Sequence, residues 1–287
     1  MSKFTYITDT HFSSSSNVRT GNYLEDLLEK LDFVVNKTNE LDAILLHGGD
    51  LFDKPTVTDF VKYKVLDILE KLKYPMLVIP GNHDSLFNDF FARKDQTSLN
   101  LLTKSNKVEL LNGTKEYSDC FVSSEVPVIT RGKPQIVLIH GFLNSSDTWN
   151  IGFDQIQTKD RSFILLGHDH TPHEDLKYGE SLILRKGSFT RAIREDSSDR
   201  IPVMLSINVN KDDLTYTEIP ISVAKPVELL FKDKLDRIQK SDITYEDLVK
   251  KIQEINLQED SLMDSLRLVT QDKRTLDYLE NTLKIIY

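Results

Sequence analysis

The side chains best suited to chemistry in this 287-residue chain fall in five short clusters. They are Asp9-Thr10-His11, Gly48-Gly49-Asp50, Gly81-Asn82-His83-Asp84, His140-Gly141 and Gly167-His168-Asp169-His170. Taken singly, each reads as a turn or a capped helix start, because Asp, Asn and Gly favour such positions. Taken together, they hold five of the seven histidines. Their donors are carboxylate, imidazole and amide oxygen without a thiolate. That set suits manganese, iron or zinc and excludes a zinc finger or an iron–sulfur cluster. The seven ligand-type residues Asp9, His11, Asp50, Asn82, His140, His168 and His170 are too many for one ion and fit two ions sharing a bridging carboxylate. Two ions about 3.5–4 Å apart can clamp both the attacking and the leaving oxygen of a phosphate ester.

Each cluster follows a short apolar run. Phe4–Thr8, Ala43–His47, Met76–Ile79, Ile136–Ile139 and Phe163–Leu166 read as buried strands. In an open α/β sheet the carboxyl ends of the strands form the ligand edge, so five distant segments would deliver their polar residues to one place. Between the strands lie helical stripes. Asn22–Asn39 carries Leu24, Leu27, Leu28, Leu31, Val34 and Val35 on one face, with Asn22 as a cap and Glu25 three residues on. Val57–Leu72 repeats the pattern behind Thr56 and Asp59. This alternation predicts a βαβ core. Further strands are expected at Leu182–Arg185, Val203–Val209 and Leu214–Ile219, which makes the class α/β with added antiparallel strands. After Pro226 the apolar spacing is helical, ending in Leu276, Leu279, Leu283 and Ile286. The expected division is a catalytic domain over 1–224 and a helical C-terminal extension over 225–287.

Composition narrows the class. A hydrophobic share of 39% with 14 Phe and 10 Tyr excludes a disordered chain. Cys120 is the single cysteine, so no intrachain disulfide can form, and a reducing, cytoplasmic setting is expected. The N-terminus reads as a first strand and not a signal peptide, and no apolar run approaches the ~20 residues of a membrane span. A net charge of −9 argues against a dedicated nucleic-acid binder. It does not exclude an enzyme acting on nucleic acid, because bound cations would add local positive charge.

The motifs DTH, GGD, GNHD, HG and GHDH, spread over residues 9 to 170, resemble those of the calcineurin-like metallophosphoesterases. The resemblance implies an αββα sandwich, here with a C-terminal helical tail. It implies that Asp9, His11, Asp50 and His170 hold one divalent ion, and that Asp50 (bridging), Asn82, His140 and His168 hold the other. Manganese is expected, with iron, zinc or magnesium as alternatives. His83 would donate to the phosphate or protonate the leaving oxygen, with Asp84 orienting its ring.

Within that family the stretches GGDLFDKPTV (48–57), IPGNHDSLF (79–87), ILLGHDHTPH (164–173) and KGSFTR (186–191) are most similar to SbcD-type DNA exonuclease subunits, including phage-encoded relatives. That implies DNA as substrate, exo- or endonuclease action in repair, recombination or phage DNA metabolism, and C-terminal helices that dock on an SbcC-type coiled-coil ATPase. A homodimer is compatible with it. A small-molecule or cyclic-nucleotide phosphodiesterase, or a protein phosphatase, would use the same site. A non-catalytic scaffold predicts eroded ligands, whereas every motif here is complete.

Outside the clusters, Lys177–Arg194 carries five basic residues against Glu180 alone. Arg191 and Arg194 are therefore candidate phosphate contacts, the competing reading being a solvated hairpin face. His47, inside a strand, reads as a buried structural histidine, His173 as a loop residue and Cys120 as core.

Overall fold

A computed structural model of the chain describes residues 2–16, 18–145, 148–191, 200–210 and 213–231. The first half runs β1 (Ser2–Ile7), α1 (Tyr23–Glu40), β2 (Ile44–His47), α2 (Asp59–Leu69), β3 (Met76–Val78), α3 (Phe90–Arg93), α4 (Ser98–Leu102) and β4 (Val108–Leu110). Next come β5 (Thr114–Glu116), β6 (Phe121–Ser123), β7 (Gln135–His140), β8 (Phe142–Leu143), β9 (Asn150–Ile151) and β10 (Ser162–Gly167). The remainder comprises β11 (Leu176–Tyr178), β12 (Ser181–Leu184), β13 (Val203–Asn210), β14 (Asp213–Pro220) and α5 (Val227–Leu230).

Helix starts are set by side chains that satisfy free backbone donors. Asn22 accepts from the Glu25 amide, as its spacing predicts. The second helix is capped by Thr58, two residues later than the expected Thr56.

Two six-stranded sheets result, in the orders β14-β13-β1-β2-β3-β4 and β11-β12-β10-β7-β6-β5. The central strands β1 to β4 are parallel, as are β6, β7, β10 and β12, while β13, β14, β5 and β11 add antiparallel edges. The period of two in each strand sorts its residues between cores. Phe4, Tyr6, Leu46 and Leu77 pack with Ile136, Leu138, Phe163 and Leu165 between the sheets. Their neighbours Ile7, Leu45, Met76 and Val78 meet α1 and α2 through Leu27, Leu31, Val61 and Val65. On the far face of the second sheet, Val137, Ile139, Ile164 and Leu166 are covered by Leu143, Ile151 and Phe153. This is the two-sheet α/β sandwich that the motifs imply. Its outer cover over the second sheet is thin, made of a 3-10 turn at Phe153–Gln155 and short strands.

Register aligns the strand ends. Ile7 pairs with His47, His47 with Val78, and Gly167 with His140, so the segments that follow leave both sheets along one edge.

The chain divides into compact units Met1–Lys232 and Asp233–Tyr287. The helices expected after Phe231 lie outside the described residues. Residues 225–231 belong to the first unit, where Val227, Leu230 and Phe231 cluster with Val18. Among the described residues no helix is long and apolar enough to cross a membrane.

Candidate metal centre

All seven ligand-type residues meet at this edge. Donor atoms of Asp9, His11 and His170 lie within 4.8 Å of one another, and so do those of Asp50, His140 and His168. Asp50 Oδ2 is 3.3 Å from His140 Nε2 and 3.7 Å from His11 Nε2, placing one carboxylate oxygen between the two groups. Asn82 Oδ1 lies 3.0 Å from His140 Nε2. His170 Nε2 is 3.7 Å from Asp9 Oδ1 and 3.1 Å from His11 Nε2.

The backbone is bent to achieve this. Asp9, His11, Asp50 and His168 all have positive φ, a conformation that L-residues adopt at a cost and that clusters at functional sites. Glycine makes room beside them. A Cβ on Gly81 would lie 2.1 Å from Asp50 Oδ1, and one on Gly49 would lie 2.4 Å from His140 Nδ1.

The donor set fits divalent ions. In His140, Nδ1 donates to the Gly48 carbonyl at 2.9 Å, which aims Nε2 at Asp50 and Asn82. Three atoms bearing lone pairs thus converge, and without a cation a proton must lie among them. Burial opposes a charged imidazole there, but Asp50, and more weakly Asp9, outweigh it and raise its pKa to about 9. Burial likewise favours a neutral Asp50, yet His140, His11 and His83 hold the carboxyl well below its usual range. Nε2 of His11 and Nε2 of His170 lie 3.1 Å apart, within hydrogen-bond distance when one carries the proton, and both could face a shared cation.

The surrounding groups brace the donors. Asp9 accepts from the His168 amide at 3.0 Å and from Thr8 Oγ1 at 2.7 Å. The segment 188–190 forms a strap beneath them. The amides of Ser188, Phe189 and Thr190 donate to the carbonyls of His170, Thr8 and Asp9. Lys30 and Arg19 hold the strap through the Phe189 and Thr190 carbonyls.

His83 stands beside the donors. Its amide donates to Asp50 Oδ1 at 2.8 Å, and its ring lies edge-on to His11. The ring is oriented by the Asp53 carbonyl, which accepts from Nδ1 at 2.8 Å, and not by Asp84. Asp84 instead accepts from the amides of Leu51, Phe52 and Gly81, tying the second cluster to the third. Burial and the neighbouring Asp50 push its pKa up to about 7, against those three amides. Asp53 is the residue that sequence reasoning passed over. Its carboxylate groups with His11 and His83, and its only signal was its place three residues after Asp50 in GDLFD.

Arg191 does not face the donors. Its side chain is buried and donates to the Arg200 and Lys225 carbonyls, so the expected phosphate contact gives way to a structural one. Arg194 lies outside the described residues. Lys186 is paired with Asp175 and Glu218. His47 is fully buried against Thr10 Oγ1, and burial lowers its pKa to about 3. His173 pairs with Asp169 in a loop.

A two-sheet sandwich with paired carboxylate–imidazole groups at one edge is the build of a metal-dependent phosphoesterase. A model of the calcineurin-like phosphoesterase family matches residues 2–194, and the chain belongs to that family, whose members use divalent metals. It is 23% identical to the DNA double-strand break repair protein Mre11 of Saccharolobus solfataricus, over 84% of this chain and 72% of that one. It is 26% identical to the Mre11 of Sulfurisphaera tokodaii, over 58% of this chain and 48% of that one. A 5'-nucleotidase of Candida albicans superposes with a TM-score of 0.42 at 14% identity, covering 76% of this chain and 52% of that one. The chain thus corresponds to about half the length of the last two.

Proposed function

We propose that this phosphoesterase is a two-metal nuclease acting on DNA, of the SbcD and Mre11 type. The observation that carries the two-metal part is the position of Asp50 Oδ2, 3.3 Å from His140 Nε2 and 3.7 Å from His11 Nε2, between two sets of donors. The two Mre11 relatives support DNA as the substrate. In this reading Asp9, His11, Asp50 and His170 hold one ion, and Asp50, Asn82, His140 and His168 hold the other.

When bound, the ions supply positive charge against the phosphate and make water acidic enough to attack at neutral pH. The protein's own groups do the rest. The Gly48 carbonyl fixes the tautomer of His140, as partners of ligating imidazoles do. The His83 amide holds Asp50 Oδ1 and leaves Oδ2 toward both imidazoles. Because Nδ1 of His83 is committed to the Asp53 carbonyl, its Nε2 is the atom that can meet a substrate oxygen. A neutral ring accepts a hydrogen bond there. Only the imidazolium can give a proton to a leaving oxygen through Nε2.

The domain reading is a catalytic unit followed by a helical extension that docks on an SbcC-type ATPase. Because Val227, Leu230 and Phe231 cover Val18, a truncation that tests docking belongs after Phe231 and not after Ala224.

The deciding experiment incubates the purified protein with manganese and compares end-labelled duplex DNA, single-stranded DNA, cyclic nucleotides and a chromogenic phosphodiester. Metal-dependent DNA degradation that weakens as salt rises is expected. Intact DNA with cleaved cyclic nucleotide would replace the nuclease reading with the small-molecule one.

A further inference from the structure

Beside His140 opens a cleft of about 600 Å³, within the range of small-molecule sites. Its walls carry Pro80, Phe91, Val126 and Trp149, with Asn112 and Glu125 among its polar groups. The indole of Trp149 lies edge-on to His140 with ring centroids 5.9 Å apart, and its centroid is 6.3 Å from that of His168. The cleft therefore begins at a donor imidazole, with the Trp149 indole beside it.

Its chemistry is unlike that of a phosphate site. Among the described residues the lining holds no lysine and no arginine, and its one carboxylate is Glu125. That carboxylate is fixed by Arg131 and by Thr114 Oγ1. A phosphate group here would meet the Glu125 carboxylate and no lysine or arginine of the lining. A planar neutral group with an N–H edge would meet aromatic faces to stack on and an acceptor to bond.

We propose that this cleft is a nucleobase subsite, taking the base of the nucleotide next to the phosphate at the metal centre, with Trp149 and Phe91 as its aromatic faces. The proposal rests on the nuclease reading for its substrate and adds where that substrate's base goes. It predicts that the protein grips a nucleotide by its base as well as by its phosphate.

Trp149 is the only tryptophan in the chain, so its emission reports on the cleft directly. The full-length protein, loaded with manganese, is titrated with dAMP and with 2-deoxyribose 5-phosphate. The expected result is quenching by dAMP with a half-saturation about 10-fold below that of any response to the sugar phosphate, the scale of one base stacked on an aromatic ring. Phe91→Ala should raise the dAMP half-saturation about 5–10-fold with an unchanged circular dichroism spectrum, because Phe91 is half exposed. Equal responses to the two compounds, or none to either, would overturn the subsite. Oligonucleotide hydrolysis scored in parallel separates the two ideas. Quenching by dAMP without DNA hydrolysis keeps the subsite and removes the nuclease, whereas hydrolysis without selective quenching does the reverse.

Discussion

In the half of the centre around His140 the imidazole is 1% exposed, its Nδ1 is tied to a backbone carbonyl, and Asn82 and Asp50 crowd its Nε2. In the half around His170 the imidazole is 23% exposed and lies 3.1 Å from His11 Nε2 and 3.7 Å from Asp9 Oδ1. The donor types are nearly the same, but the support is not. Each half pairs two buried donors with one partly exposed imidazole, His168 or His170. The difference lies in His140, whose ring the Gly48 carbonyl already pins and which loses little entropy when an ion arrives. The closed half should therefore hold its ion more tightly, and the open half should exchange first with a chelator.

The most severe test of this comparison is Asp50→Asn, because the two halves share that carboxylate. Metal analysis should show both ions weakened and hydrolysis almost abolished in a folded protein. Loss of one ion only would mean that the halves are independent. Next in size is His83→Ala, which touches neither half as a proposed ligand. Steady-state assays should show activity down by roughly 10²–10⁴-fold with metal content kept. Loss of metal there would mean that His83 belongs to the open half.

A pH experiment probes the closed half. In metal-free protein the His140 pKa stands at about 9 against 6.5 for a free imidazole. A raised pKa adds stability that is complete below about 6.5 and lost as pH climbs through about 9. The Asp84 carboxyl at about 7 adds its own decline at the lower end. Above that step thermal melts of metal-free protein should keep falling toward pH 9, while metal-loaded protein, whose Nε2 carries no proton, should not. A metal-free profile flat beyond that step would show that His140 holds no extra proton.

The smallest expected effect concerns the open half. Tyr23→Phe removes the phenol that donates to the His11 carbonyl at 3.1 Å. A buried hydrogen bond of about 0.5–1.5 kcal/mol corresponds to a roughly 2–10-fold weaker ion in that half, read by chelator competition. An equal change in the closed half would erase the distinction.

Much of this site was legible because strands and ligands use one code. A short β-branched run ending in Gly, Asp or His announces both a strand and its functional end, and β1, β2, β3, β7 and β10 each lie at their expected places within a residue or two. The αL bends at Asp9, His11, Asp50 and His168 were not legible, since no glycine marks them. Nor was the strap at 188–190, whose work is done by backbone amides that any residue supplies. Arg191 misled for a related reason. A basic side chain near a phosphate motif suggests substrate, but charge alone does not say whether a guanidinium faces outward or caps carbonyls within. Asp84 was misassigned because adjacency in sequence stood in for adjacency in space, and the Asp53 carbonyl reached the ring first.

The strands that feed the centre come from different sheets. Asp9, His11, Asp50 and Asn82 follow strands of the first sheet, whereas His140 ends β7 of the second and His168 and His170 follow its β10. Neither half can be completed from one sheet. An ion held in either place would therefore act as a rivet through the seam of the sandwich, its binding energy resisting the parting of the two layers. Ligand occupancy of that kind raises the melting point in proportion to the logarithm of free ion. Heat resistance should thus be a gauge of cofactor loading, readable before any substrate is known.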